Sequence, residues 1–221
     1  VVYRTRRTTD EVQGDNILAL CMLYLSREHG REGDKLKAMK MLFLAAYDMF
    51  RDQTKALNMR FYRYEKGPYS TQAQRAWEAL GDAGFLIPPR TAFDQLHLTN
   101  EGVQLATEFY EDALSAESNK PVRDCLVGVA QEYGPYPTRR IMDDVYKMRV
   151  ETVEKPGEPR RIKDIQHGTF TYLIEPEGAA TALDIGEGWL TTLAIEFSPR
   201  HRAGMAAAME DLATGRVHVA P

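Results

Sequence analysis

The chain predicts a mainly α-helical fold that carries a winged-helix-like β-hairpin and ends in a small α+β C-terminal region. Three observations predict it. Apolar residues recur at three- and four-residue spacing through most of residues 12–150. A helix ending LGDAGFL is followed by a short polar crossing and then by LHLTNEG, the order of helix, hairpin and capped helix. Past residue 168 the composition shifts to alternating, strand-like runs and an Ala- and Met-rich helix.

With 221 residues, 43% apolar and 27% charged, the chain is long enough for one sizeable core plus an appendage. No apolar run approaches the roughly 18–20 residues that cross a bilayer. The arginines near the start are not followed by an apolar stretch, so no secretory signal is expected and a cytoplasmic protein is. Cys21 and Cys125 both sit in apolar helical surroundings and read as two reduced, buried thiols. The formal net charge of -4 removes the general electrostatic argument for nucleic-acid binding.

Residues 1–12 are polar and read as extended or mobile. Asp15 or Asn16 is expected to cap a helix whose apolar residues, Ile17 to Leu25, cover most of its circumference, as in a well-buried helix that ends at Gly30. The next helix, 34–50, has Leu36, Met39, Leu42 and Met49 at helical spacing. Its lysines, Lys35, Lys37 and Lys40, form a basic stripe expected to face water. Residues 58–64 alternate like a strand, and Gly67-Pro68 marks a turn. Ser70 or Thr71 caps a helix with Ala73, Ala76, Trp77 and Leu80 inward, and Gly81 and Gly84 close it. Residues 85–87 and 96–98 form the two arms of the hairpin around a Pro88-Pro89 turn. Thr99 or Asn100 caps the following helix. Two more helices are expected at 121–133 and 138–148. Gly-Pro-Tyr occurs twice, at 67–69 and 134–136, each time ahead of a helix, which is too short a match for a repeat.

Residues 151–168 are rich in charges and turn formers and read as a linker. The C-terminal region, 169–221, is expected to hold strands at 169–174 and 193–197, a helix from 199 to about 214, and a last short strand at Val217 and Val219. A piece this small needs the first domain or a partner to stabilise it.

No catalytic constellation is apparent. The five histidines are scattered without metal-ligand spacing, no glycine-rich phosphate loop occurs, and neither cysteine has a base nearby. No metal, cofactor or enzymatic activity is therefore expected. The cluster Arg60, Phe61, Tyr62, Arg63, Tyr64, Lys66 and Tyr69 carries more chemistry. Basic and aromatic residues interleaved in this way could grip a nucleic-acid strand, form a protein-binding hot spot, or place aromatics in the core with the arginines in water. All three readings stand at this level. Gln72, Gln74, Arg75 and Glu78 would occupy the recognition helix of a winged helix, where a single arginine makes a weak groove reader. In the last helix Met205 and Met209 lie four apart, on a face suited to a partner or to an ordinary core.

Taken together, KAMKMLFLA and YRYEKGPYS, followed by a helix ending in Leu and Gly, resemble the Panacea domain, the SocA-like antitoxin family. The matching positions are Lys40, Leu42, Phe43, Gly67, Pro68, Leu80 and Gly84. Met41 stands where leucine is usual, and Lys66 where an aromatic is frequent. The resemblance spans residues 17–146. It implies a non-enzymatic antitoxin that neutralises a cognate protein toxin by direct contact. Residues 169–221, a marginal appendage with most to gain from packing on a partner, are the candidate for a further partner-binding element. The alternative is a winged-helix DNA-binding regulator acting on operator DNA. The sequence leaves the oligomeric state open, a homodimer included.

Overall fold

The computed structural model describes residues 7–30, 33–87, 95–152, 154–169 and 181–214. It is mainly helical with small two-stranded hairpins. Helix α1 (Thr9–Glu28) is the axis of the fold and packs against α2 (Lys35–Arg51). After α2 come β1 (Thr54–Lys55), β2 (Tyr62–Tyr64) and β3 (Gly67–Tyr69), then α3 (Thr71–Asp82). The hairpin β4 (Leu86–Ile87) and β5 (His97–Leu98) leads into α4 (Asn100–Glu111), α5 (Lys120–Tyr133) and α6 (Thr138–Lys147). A second hairpin, β6 (Arg149–Thr152) and β7 (Lys155–Arg161), precedes β8 (Thr181–Ala182), α7 (Glu187–Glu196) and α8 (Pro199–Ala213).

Helix α1 is central because it is apolar on every side. Ile17, Leu18, Leu20 and Cys21 have no exposed surface, and α3, α4, α5 and α7 also lie against it. It starts earlier than expected. Thr8 caps it, Glu11 completes a capping box, and Asp15 and Asn16 lie buried inside the helix instead of at its end. Asp15 pairs with Arg7 and accepts the Asn58 backbone N–H at 2.6 Å, while burial raises its carboxyl to about 6.

The winged-helix-like half follows the sequence closely. Ser70 caps α3 and Thr99 caps α4. Gly84, at φ +77, turns the chain so that Phe85 N–H reaches back to Leu80 O at 2.9 Å. Leu86 then pairs with Leu98 and Ile87 with His97. The proposed Pro88-Pro89 turn lies outside the described residues.

Two readings change in the C-terminal third. Residues 151–168 are not an open linker. Residues 155–161 form β7, where Gly157 at φ +79 sits in the irregular stretch of the pairing with β6, and Ile162 and Ile165 after it are buried in the core. Residues 193–197 are helical instead of a strand. Trp189, Leu193 and Phe197 repeat every four residues, and that spacing puts all three on the core side of α7. The helix from 199 is present as α8. Of the strand expected at 169–174, only Thr169 is described, and Val217 and Val219 lie outside the described residues.

The C-terminal helix α7 joins the same core through Leu193. β8 runs parallel to β1, with Thr54 opposite Thr181. The Asn119 side chain clamps Asp184 from both sides, donating to its carbonyl at 2.7 Å and accepting its N–H at 2.8 Å. The Trp189 ring stands edge-on to Phe109, and its N–H reaches Asp112 at 2.7 Å. Among the described residues no helix is long and apolar enough to cross a membrane.

Candidate functional site

Alternation along β2 decides which side chains can meet a partner. Phe61 is fully buried, edge-on to Phe43 at 5.4 Å. Arg63 is buried too, at 7% exposure. Tyr62 and Tyr64 therefore point the other way, and Tyr64 remains 47% exposed. Phe61 thus fills the core as one option expected, whereas Arg63 turns inward and the tyrosines outward, against that option's arginines in water. The backbone explains why Arg63 turns inward. Arg63 N–H donates to Thr169 O at 2.9 Å, its carbonyl accepts from Gly168 N–H at 2.6 Å, and its Nε donates to Ile162 O at 3.1 Å. The guanidinium stands 5.3 Å from the centre of the Tyr146 ring, and its Nη1 has no hydrogen-bond partner among the described residues. Arg63 thus ties β2 to the segment after the second hairpin.

On the outer side Tyr62, Tyr64 and Tyr69 form a three-ring cluster. Centroid separations are 6.1 Å for Tyr62–Tyr64, 5.5 Å for Tyr62–Tyr69 and 5.4 Å for Tyr64–Tyr69. Pairing of Tyr62 with Tyr69 and of Tyr64 with Gly67 across β2 and β3 sets this arrangement. The Tyr69 hydroxyl donates to Gln74 of α3, which in turn donates to Glu78 at 2.9 Å. Lys66 is exposed at the hairpin tip, and Arg60 is half-buried, its backbone N–H held by Gln72.

Beneath the cluster the basic stripe of α2 proves to be interior. Lys37 is 2% and Lys40 1% exposed. Each donates to a carbonyl of a Gly-Pro-Tyr segment at 2.6 Å: Lys37 Nζ to Gly134 O, and Lys40 Nζ to Pro68 O. The solvated face expected for these lysines therefore holds only for Lys35, which is partly exposed. Gly67, at φ +91, lets the chain pass close over Lys40, whose Nζ lies 3.6 Å from where a Cβ would stand. Burial, and then the nearby Arg63 and Lys66 charges, lower the Lys40 ammonium to about 7.

A cavity of about 320 Å³ opens between the β2–β3 hairpin, α2 and α3. Lys35, Lys40 and Lys66 line it with Tyr64, Tyr69 and Trp77. Trp77 is 5% exposed, and its indole N–H has no partner among the described residues. The site offers donors and aromatic surface, and neither Cys21 nor Cys125 is among the residues that line it. Burial pushes the Cys125 thiol up to about 12 and the Cys21 thiol higher still. Among the described residues no group of three or more His, Cys, Asp or Glu could hold a metal ion.

The structure gathers Lys40, Gly67 and Pro68 at one point and places Leu42, Phe43 and Leu80 in the core. Tyr62, Tyr64, Lys66 and Tyr69 share the hairpin, whereas Arg63 supports it from inside. Met205 and Met209 fall in α8, with side chains outside the described residues. Lys35 and Trp77 escaped the sequence reading as site residues, as did the burial of Lys40. A signal was present: α2 is apolar at so many positions that Lys37 and Lys40, three apart, had to share a buried face.

No family model matches the chain, and no curated protein or solved structure matches it either.

Proposed function

We propose that this protein is the antitoxin of a toxin–antitoxin pair, binding a cognate protein toxin in the cytoplasm and covering its working surface, with no cofactor. The observation that carries the reading is the outward-facing cluster of Tyr62, Tyr64 and Tyr69 beside a 320 Å³ cavity. Tyrosines packed on one another are already ordered, so they give contact area at little entropic cost and are enriched in binding hot spots. Arg60 and Lys66 flank them. The resemblance to SocA-like antitoxin domains supports the same reading, because its Lys40, Gly67 and Pro68 form the floor under that cluster.

The test is co-expression with the product of the adjacent gene. A stable co-eluting complex that restores growth is expected. Tyr62→Ala combined with Tyr64→Ala should abolish both and leave the fold intact. A harmless neighbour that never co-elutes would sink the antitoxin reading.

Operator binding through α3 remains the alternative, and no observation favours it. Gln72 and Gln74 are engaged within the fold, and Glu78 is bonded to Gln74. Arg75 is then the exposed base of that helix.

A further inference from the structure

We infer that the cavity beside the tyrosine cluster receives a carboxylate from the partner, carried on an acidic peptide segment in which Asp or Glu stands next to an apolar side chain. The inference deepens the partner-binding reading and rests on it.

Charge complementarity selects the carboxylate. Three lysines, Lys35, Lys40 and Lys66, line the cavity against one acid, Glu65. That is a local cationic excess on a chain whose net charge is -4. Two of the lining donors are buried with bonding capacity to spare. Lys40 spends one N–H on Pro68 O, and an ammonium has three. Trp77 keeps its indole N–H without an acceptor among the described residues. An unmet buried donor costs free energy, and one incoming carboxylate carries two acceptor oxygens. The remaining wall is apolar: Leu36 and Met39 of α2, with the Trp77 ring. Such a wall suits a neighbouring aliphatic or aromatic side chain better than the polar sugars of a nucleic-acid backbone. Among the described residues the charged groups that act on the Lys40 ammonium are Arg63 and Lys66, both cationic. A carboxylate in the cavity would supply a countercharge.

The experiment selects peptides from a random library on the immobilised full chain and measures binding of the enriched peptides by fluorescence polarisation. Asp or Glu should be enriched beside an apolar residue. Lys35→Glu with Lys66→Glu, both changes at solvent-facing positions, should weaken binding at least about tenfold. Trp77→Phe keeps the ring and removes the N–H, and should weaken it about fivefold. Peptides without acidic enrichment, affinity unchanged by the charge reversal, or displacement by millimolar inorganic phosphate as easily as by free acidic peptide would each overturn the inference. A toxin arm separates the two claims. If the toxin co-elutes equally with the wild type and the charge-reversed protein, the cavity inference falls and the antitoxin reading stands. If acidic peptides bind as described and no toxin ever co-elutes, the reverse holds.

Discussion

The two Gly-Pro-Tyr segments share a lock and differ in their surroundings. Both carbonyls are held by a buried lysine of α2 at 2.6 Å, Lys40 on Pro68 and Lys37 on Gly134. At residues 134–136 the lock closes packed backbone: a Cβ on Gly30 would stand 2.6 Å from Pro135 N, so no room exists for a ligand. Tyr136 there is half-buried, with Arg140 4.3 Å from its ring centre. At residues 67–69 the same lock sits under an open cavity, beside two more lysines and three outward rings. A buried lysine on a carbonyl is therefore a structural latch in the first instance. It becomes part of a binding site only where the fold leaves space beside it.

The comparison breaks most visibly with pH. Lys40 is lowered from 10.5 to about 7 in the folded protein, so the folded state holds that proton less tightly than the unfolded state. Its charge therefore opposes folding below pH 7, and the penalty is relieved as pH rises from about 7 to 10.5. Over that window the wild type should gain on the order of 3–5 kcal/mol relative to Lys40→Met. Urea unfolding at the two ends of the window measures it, and parallel curves would show that Lys40 is not desolvated. Next in size, Lys37→Met leaves the Gly134 carbonyl unmet and should cost about 1–3 kcal/mol. Partner affinity should be unchanged in that variant at temperatures where it is folded. Gly67→Ala must carry a side chain at φ +91 over Lys40 and should cost about 1 kcal/mol or more, seen as a lower Tm. The smallest stability effect is Tyr64→Ala, within about 0.5 kcal/mol because the ring is half exposed. That variant should nevertheless lose about tenfold or more in partner affinity.

Local signals carried most of the fold into the sequence. Ser70, Thr99 and Gly84 mark the ends of α3 and the start of α4 by chemistry that acts within three or four residues. Thr8 and Glu11 carried a capping box of the same kind, overlooked beside the stronger apolar run that begins at Ile17. What stayed hidden depends on distant backbone. Lys40 and Lys37 can be buried because carbonyls 28 and 97 residues away come to meet them. Arg63 turns inward because Ile162, 99 residues on, offers its carbonyl. The LAIEF run alternates over five residues, too few to separate a strand from one face of a helix. The tyrosines were legible as a group, but which side of β2 faced water was not.

The most direct measurement compares three proteins for co-elution with the adjacent gene product: wild type, Lys37→Met, and Tyr62→Ala with Tyr64→Ala. The account predicts a complex with the wild type and with Lys37→Met, and none with the tyrosine variant although it melts like the wild type. A tyrosine variant that co-elutes as well as the wild type would contradict it, because the face beside the first Gly-Pro-Tyr turn would then not be where the partner binds.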